Sequence, residues 1–312
     1  MTERANRSAR RGITPLDAVV AFASRHRLRG AARLRRMLRG HHDVTLTRVQ
    51  TTDGLLFDID VENVLDYAVL DHGYYEREVL DAITARLLPN DVVWDVGANI
   101  GLHAITAKRL RPDVVVVAFE PAPHTAARLM SNAGLNGVDI QVVTAALAET
   151  DGVARLSVVL RGNNGLSSLR PWPDVQYDGT IMCPCVRADA LITRGALPAP
   201  TVAKLDVEGL EAEVLRGFGS LLSTGPLRLV VFEAPGDAVT HSGRYPVFDL
   251  LTRGGSRSRR SLPPMRRRSR SPQTSSPRRA DRERVRGAVR PSVRKSGPDP
   301  RARSESHAAS TR

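Results

Sequence analysis

Asp95, Glu120 and Asp206 are the residues whose types and placement suit chemistry. Each acid closes a short apolar run: Val92-Val93-Trp94 before Asp95, Val114 to Phe119 before Glu120, and Val202-Ala203-Lys204-Leu205 before Asp206. Short runs rich in β-branched residues read as buried parallel strands. Open α/β sheets bind ligands at the carboxyl ends of such strands. Glu233, after the run Leu227 to Phe232, falls on the same edge. Between the first two acids lies Gly97-Ala98-Asn99-Ile100-Gly101, followed by Leu102, Ile105, Ala107 and Leu110 at near-helical spacing. A glycine loop that opens a helix places backbone N–H groups where they favour an anion.

The glycine spacing narrows the ligand. Gly97 and Gly101 make G-x-x-x-G and not the G-x-G-x-x-G of a dinucleotide fold. A carboxylate at Asp95 would repel a pyrophosphate but suit an ammonium group, leaving the helix end for the same ligand's carboxylate. An amino-acid head carries both charges, and S-adenosylmethionine has such a head. Glu120 is placed to accept both hydroxyls of a ribose. Ala145 and Ala146, after the third apolar run Ile140 to Val143, are small enough for an adenine ring to lie against the backbone. The competing enzyme class is a nicotinamide-dependent oxidoreductase, disfavoured by Asp95 and by the missing middle glycine.

Three runs then carry a family resemblance. Asp95-Val96-Gly97-Ala98-Asn99-Ile100-Gly101, Phe119-Glu120-Pro121 and Lys204-Leu205-Asp206-Val207-Glu208-Gly209 occur in this order. They resemble the signature runs of FkbM-type S-adenosylmethionine-dependent methyltransferases, over roughly residues 43–250. The resemblance implies a Rossmann-like class I methyltransferase fold and O-methylation of a hydroxyl on a sugar or natural product. It implies that Tyr75 and Glu76 stand at the lip of the cofactor pocket; the residues alone read equally well as a helix start with an acid in its first turn. Asp95 and the loop Gly97, Ala98, Asn99 and Gly101 are expected at the methionine end, Glu120-Pro121 at the ribose, and Ala145-Ala146 at the adenine. Asp206 is the expected general base and Glu208 the second candidate. Metal ligation by Asp206 is the other role open to it.

These residues need elements to hold them. Val44 to Val61, broken by Thr52-Asp53-Gly54, predicts a β-hairpin. Residues 64–73 read as a mixed connection. Val79, Leu80, Ile83 and Leu87 share one face of a helix, and His124 to Leu135 forms the next. Val153 to Leu160 and Ile181 to Val186 are two further strands. The polar loop Gly162-Asn163-Asn164-Gly165-Leu166-Ser167-Ser168 between them could bond a hydroxylated substrate, though most such loops only connect. Gly209 opens a helix expected over Leu210 to Leu222. The fold class is therefore α/β: a doubly wound, mostly parallel sheet with an N-terminal hairpin and helix extension and a disordered C-terminal tail. The boundaries fall at 1–40 (basic, partly helical from Thr14-Pro15), 41–90 (extension), 91–250 (cofactor-binding domain) and 251–312 (tail).

The net charge of +13 is unevenly placed. Residues 41–250 hold 16 basic and 27 acidic side chains, net −11, while 1–40 and 251–312 carry net +9 and +15. An acidic core argues against nucleic acid as its substrate. The tail has no Phe, Trp, Tyr or Ile with which to build a core. It supplies none of the further edge strands that the methyltransferase fold expects. It reads as disordered or as an out-of-frame C-terminus, and nucleic-acid contact by its arginines is the lesser alternative. The missing strands keep a catalytically impaired S-adenosylmethionine-binding protein as an alternative. Cys183 and Cys185 are too few for a disulfide framework and lack a histidine cluster for zinc. No apolar run reaches the ~20 residues of a membrane span and no leader is visible, so the expected compartment is the cytoplasm and the expected partner a small hydroxylated acceptor.

Overall fold

The structure, a computed structural model, describes residues 46–160, 162–232, 246–253 and 288–289. The first pairing along the chain is the expected hairpin, β1 (Leu46–Gln50) against β2 (Leu56–Asp60), antiparallel with Val49 opposite Phe57. Residues 64–73 are not a loose connection but a helix, α1 (Val64–His72). Asn63 caps it by accepting from the Leu65 and Asp66 amides, and Gly73 ends it in the left-handed conformation. Apolar residues without a clear helical stripe hid α1 from periodicity, although both caps are written in the sequence. α2 (Arg77–Thr84) follows, burying Val79, Leu80 and Ile83.

The central sheet is then laid down strand by strand: β3 (Val92–Val96), α3 (Leu102–Leu110), β4 (Val115–Phe119), α4 (Pro123–Leu135) and β5 (Gln141–Val143). The chain next builds a separate three-stranded sheet from β6 (Ala146–Leu147), β7 (Gly152–Val158) and β8 (Gly179–Val186), in the order β6-β8-β7. α5 (Ala188–Thr193) leads back to β9 (Val202–Leu205), α6 (Glu211–Arg216), α7 (Leu221–Thr224), β10 (Leu229–Phe232) and α8 (Pro246–Arg253). The helix expected over Leu210 to Leu222 is thus two short helices, interrupted around Gly217 to Gly219. Gly217 packs so closely on the Ala148 carbonyl that an added Cβ would lie 2.2 Å from it.

In the central sheet β10, β9, β3, β4 and β5 pair in parallel in that order. Both faces are covered, as a parallel sheet requires. Trp94, Val96, Phe119, Leu205 and Phe232 point to one apolar core; Val93, Val116, Ala118, Val202 and Leu229 alternate to the other. Trp94 is fully buried between Phe119 and Phe218, with ring centroids 4.9 and 5.7 Å away. Asn132 of α4 and Asn136, the residue that caps it, fasten the hairpin to this helix: Asn136 exchanges two bonds with the Leu56 backbone (2.8 and 2.7 Å), and Asn132 accepts from the Asp58 amide at 2.9 Å.

From the C-terminal segment, Ala288–Val289 forms β11, antiparallel to β10. Sequence alone predicted no strand there. The remaining tail, Glu233 and the N-terminal segment 1–40 lie outside the described residues, as do the expectations attached to them. Among the described residues no helix is long and apolar enough to cross a membrane.

Candidate functional site

The strand order reverses between β3 and β9. The chain steps outward from β3 to β4 and β5, then returns to the opposite side of β3 through β9 and β10. A crevice is expected at that switch point, and two hollows open there. The larger spans about 850 Å³, its open mouth included. Its walls come from four strand ends: Gly97 and Asn99 after β3, Glu120 and Pro121 after β4, Ala145 and Ala146 after β5, and Asp206, Val207 and Glu208 after β9. Tyr75, Leu65 of α1, and Asn164, Ser167 and Ser168 also line it.

Glu120 is 8% exposed and accepts from the Asn99 amide at 3.0 Å and the Ala122 amide at 2.9 Å. A carboxylate has lone pairs for about four hydrogen bonds, so capacity remains on the cleft side. Burial pushes its pKa up to about 7, only partly offset by those two amides. Gly97, at φ +80°, lies against the next loop: an added Cβ would stand 2.0 Å from the Asp206 carbonyl oxygen. The Asp206 amide in turn donates to Val96 at 3.0 Å. The glycine therefore lets the two loops of the switch point touch. Asn99, at φ +50°, and Asn164 face each other across the cleft, each side-chain amide donating to the other at 3.4 and 3.3 Å.

Other expected site residues are not on the cleft wall. Asp95 lies inside β3, directly opposite Lys204 of β9 in the parallel register. Both side chains are almost wholly buried, and the Lys204 ammonium stands 3.2 Å from Asp95 and 3.3 Å from Asp206. Burial alone would lower the Lys204 pKa; Asp95 and Asp206 outweigh it and raise it, so the cation is fixed. The ammonium that Asp95 was expected to meet on a ligand is this lysine. Its charge is compensated, so Asp95 no longer argues against a pyrophosphate; the glycine spacing still does. Ala98 packs in the core with Val79 and Ile83. Gly101 faces Ile105 and Leu129, where a Cβ would stand 2.9 Å from each. These two residues hold the loop shape and do not line the cleft. Glu76 lines the smaller hollow, not the cleft.

Sequence reasoning passed over several residues. Leu65 was lost with α1. Thr125, Leu169 and Leu210 also line the cleft, with no pattern to mark them. Glu211 is 2% exposed and accepts from the Val207 and Gly209 amides, both at 3.3 Å, which fixes the loop that carries Asp206 and Glu208. Its signal was an acid just past Gly209 at a helix start. Three of the four non-glycine residues with positive φ among those described are Glu76, Asn99 and Glu208, at φ 52°, 50° and 55°. Such backbone is costly for a glutamate and concentrates at functional sites. No group of three or more His, Cys, Asp or Glu side chains arranged for a metal occurs among the described residues. Cys183 and Cys185 are free and buried.

Residues 95–241 match the family described as Methyltransferase FkbM domain, so the resemblance carried by the three motifs holds over that stretch. Among curated proteins the chain is similar to the hexuronic acid methyltransferase AglP of Haloferax volcanii, 31% identical over 149 residues, which are 48% of this chain and 59% of that one. It is also similar to the 31-O-demethyl-FK506 methyltransferase FkbM of Streptomyces tacrolimicus, 32% identical over 160 residues, 42% of this chain and 61% of that one. The 2-O-methyltransferase NoeI of Sinorhizobium fredii is 25% identical over 183 residues, covering 52% and 72%. The chain thus spans about three fifths of the length of the first two relatives.

Proposed function

We propose, for a chain whose residues 95–241 match the FkbM methyltransferase domain, that it transfers a methyl group from S-adenosylmethionine to a hydroxyl of a sugar or natural product. The observation that carries this reading is Glu120: a buried acid on the wall of a cleft of about 850 Å³, with hydrogen-bonding capacity left on the cleft side. The printed activities of the three relatives support the acceptor class.

The residues present fit the cofactor. Glu120 takes the ribose hydroxyls, Ala145 and Ala146 form the adenine shelf, and the Gly97–Asn99 turn faces the methionine end with Tyr75 at the lip. When bound, S-adenosylmethionine supplies an electrophilic methyl: an O–C bond to the acceptor forms as the S–C bond breaks, leaving a neutral thioether and one proton to be removed. The chain's part is to hold the acceptor oxygen in line and to receive that proton. Asp206 receives it. Lys204, 3.3 Å away, fixes the direction of the Asp206 side chain, and Glu211 fixes the loop behind it. Glu208 is the second acid within the same loop.

Calorimetry tests the cofactor: S-adenosylhomocysteine should bind and NAD should not, and the reverse would return the chain to the oxidoreductases. Turnover tests the base, on a panel of glycosides and polyketide alcohols. Asp206→Asn keeps the shape and removes the basicity, and should lower kcat by about 10²–10⁴-fold with cofactor affinity unchanged. Near-normal turnover would discard Asp206 as base and move the test to Glu208. Loss of wild-type turnover to a chelator, restored by Mg²⁺, would instead make Asp206 a metal ligand.

A further inference from the structure

Trp172 is the only exposed Phe, Tyr or Trp side chain among the described residues, at 43% exposure. It lies between β7 and β8, on a segment whose backbone is tightly fixed. Prolines flank it on both sides, Pro171 and Pro173, and each locks its own φ. The Trp172 amide donates to the Tyr177 hydroxyl at 2.9 Å, and its carbonyl accepts from the Val175 amide at 3.2 Å, closing a turn over Pro173-Asp174. Asp178 ties the end of the segment to β7: its carboxylate accepts from the Leu160 amide at 2.7 Å, and its own amide donates to Val158 at 2.9 Å. Both backbone polar groups of Trp172 are thus satisfied inside the segment, and the ring stands open to solvent.

The ring stands at the rim of the larger cleft. Ser167, Ser168 and Leu169, just before it in the chain, line that cleft, and so do Glu208 and Leu210 of the Asp206 loop. Between those two lies Gly209, at φ +90°, and the indole Cζ2 and Cη2 come within 3.5 and 3.6 Å of where a Cβ on Gly209 would stand. The six-membered half of the indole therefore rests on the loop that carries Asp206. Arg170 fastens the same two segments, donating to the Gly209 carbonyl at 3.5 Å and to Glu213 of α6 at 2.7 Å. A rigid aromatic ring costs little entropy to bind against. Its face is apolar and electron-rich. A saturated sugar ring is the match: C–H bonds of slight positive charge cover one face, and hydroxyls project from the edge. Stacked on Trp172, such a ring keeps its edge hydroxyls free to turn toward the Asp206 loop. An open-chain polyol carries similar hydroxyls but no fixed C–H face, and has to be ordered first.

We propose that Trp172 is the platform of the acceptor subsite, and that the acceptor is a pyranoside stacked on the indole by its C–H face, with one edge hydroxyl turned to the Asp206 loop. The proposal rests on the methyltransferase reading and adds to it the shape of the acceptor and the residue that recognises that shape. Trp172 is then a specificity-determining residue.

The chain holds two tryptophans, and Trp94 is fully buried, so acrylamide quenching of tryptophan fluorescence reads Trp172. The full chain is saturated with S-adenosylhomocysteine and offered methyl glucopyranoside, methyl galactopyranoside and methyl rhamnopyranoside, with glucitol as the open-chain control. At least one ring should cut the quenching constant by about twofold or more, and glucitol should leave it unchanged. Saturation-transfer NMR titrations then read the affinity of that glycoside through its ring C–H protons. The affinity should fall about tenfold in Trp172→Ala and stay within about threefold in Trp172→Phe, whose ring still stacks. Glycosides that all leave the quenching unmoved overturn the proposal. So does glucitol that shields Trp172 as well as the rings do, or an affinity that survives Trp172→Ala. If Trp172→Ala fails to fold, the quenching of the unaltered chain decides. Failure of S-adenosylhomocysteine to bind, read by calorimetry, would instead remove the methyltransferase reading, so the two failures are told apart.

Discussion

Asp95 and Glu120 close neighbouring parallel strands and read alike in the sequence, yet they occupy different worlds. Asp95 is the fourth residue of β3 and lies within the ladder, opposite Ala118 on one side and Lys204 on the other. Glu120 comes one residue after β4 ends, where the sheet opens into the cleft. One acid has a buried cation for its partner; the other has two backbone amides and a cavity. Position along the strand, and not residue type, decides which acid is scaffold and which can meet a ligand. Asp95 pairs with Ala118, so Glu120 stands two register positions further toward the carboxyl edge: the two acids share a face of the sheet and differ in depth.

The largest effect that would sharpen this contrast is on stability. Lys204→Met leaves Asp95 buried without its cation and should cost about 3–5 kcal/mol in denaturant unfolding. Adding Asp95→Leu should recover much of that loss, because two apolar side chains then replace a buried pair. A loss below about 1 kcal/mol for Lys204→Met alone would mean that Asp95 is held by something other than the lysine.

A smaller effect separates the two acids by function. Glu120→Ala should weaken S-adenosylhomocysteine by about 1–3 kcal/mol, the usual cost of losing hydrogen bonds to a charged group in a buried site. Asp95→Asn should lower the melting temperature while leaving the affinity of the folded protein within about threefold. Equal losses of affinity in both variants, measured by calorimetry on folded protein, would erase the distinction.

The same contrast explains what could be read from the sequence. The parallel strands were legible because their apolar runs are short, β-branched and closed by acids, and the switch point followed from their order. Lys204 was visible but not its partner: the pair depends on the register of β3 against β9, strands far apart in the chain. The strands β7 and β8 were legible as strands, but not their membership of a second sheet, since their burial pattern does not name a neighbour. Glu120 was placed correctly at a strand end, but its raised pKa was not legible, because its burial is a property of the folded chain and outweighs the Ala122 and Asn99 amides that lower it. Nor was the close approach of the Asp206 loop to Gly97, which joins segments far apart in the chain.

The smallest predicted effect comes from proton binding, and its sign distinguishes affinity from stability. The Glu120 pKa is raised from 4.5 to about 7 by burial. If its carboxylate receives the ribose hydroxyls, binding below neutrality must expel a proton first. The affinity for S-adenosylhomocysteine should be flat above pH ~7 and fall by at most about tenfold per pH unit below it, until the pKa of the complex is reached. Glu120→Gln should bind more weakly at pH ~8 and show no such slope. Stability runs the other way: a raised carboxyl contributes most below 4.5, and its contribution is lost as the pH rises through about 7. His103, buried and lowered from 6.5 to about 4, opposes it, contributing above 6.5 and losing that contribution as the pH falls through about 4. Where those ranges overlap the two contributions have opposite slopes, so the melting temperature is a blunt readout of either. His103 is not on the cleft wall and does not enter the affinity directly. Calorimetry across this pH range therefore isolates Glu120, and an affinity that stays flat through pH ~6 would remove the carboxylate from the ribose role while leaving the buried Asp95–Lys204 pair untouched.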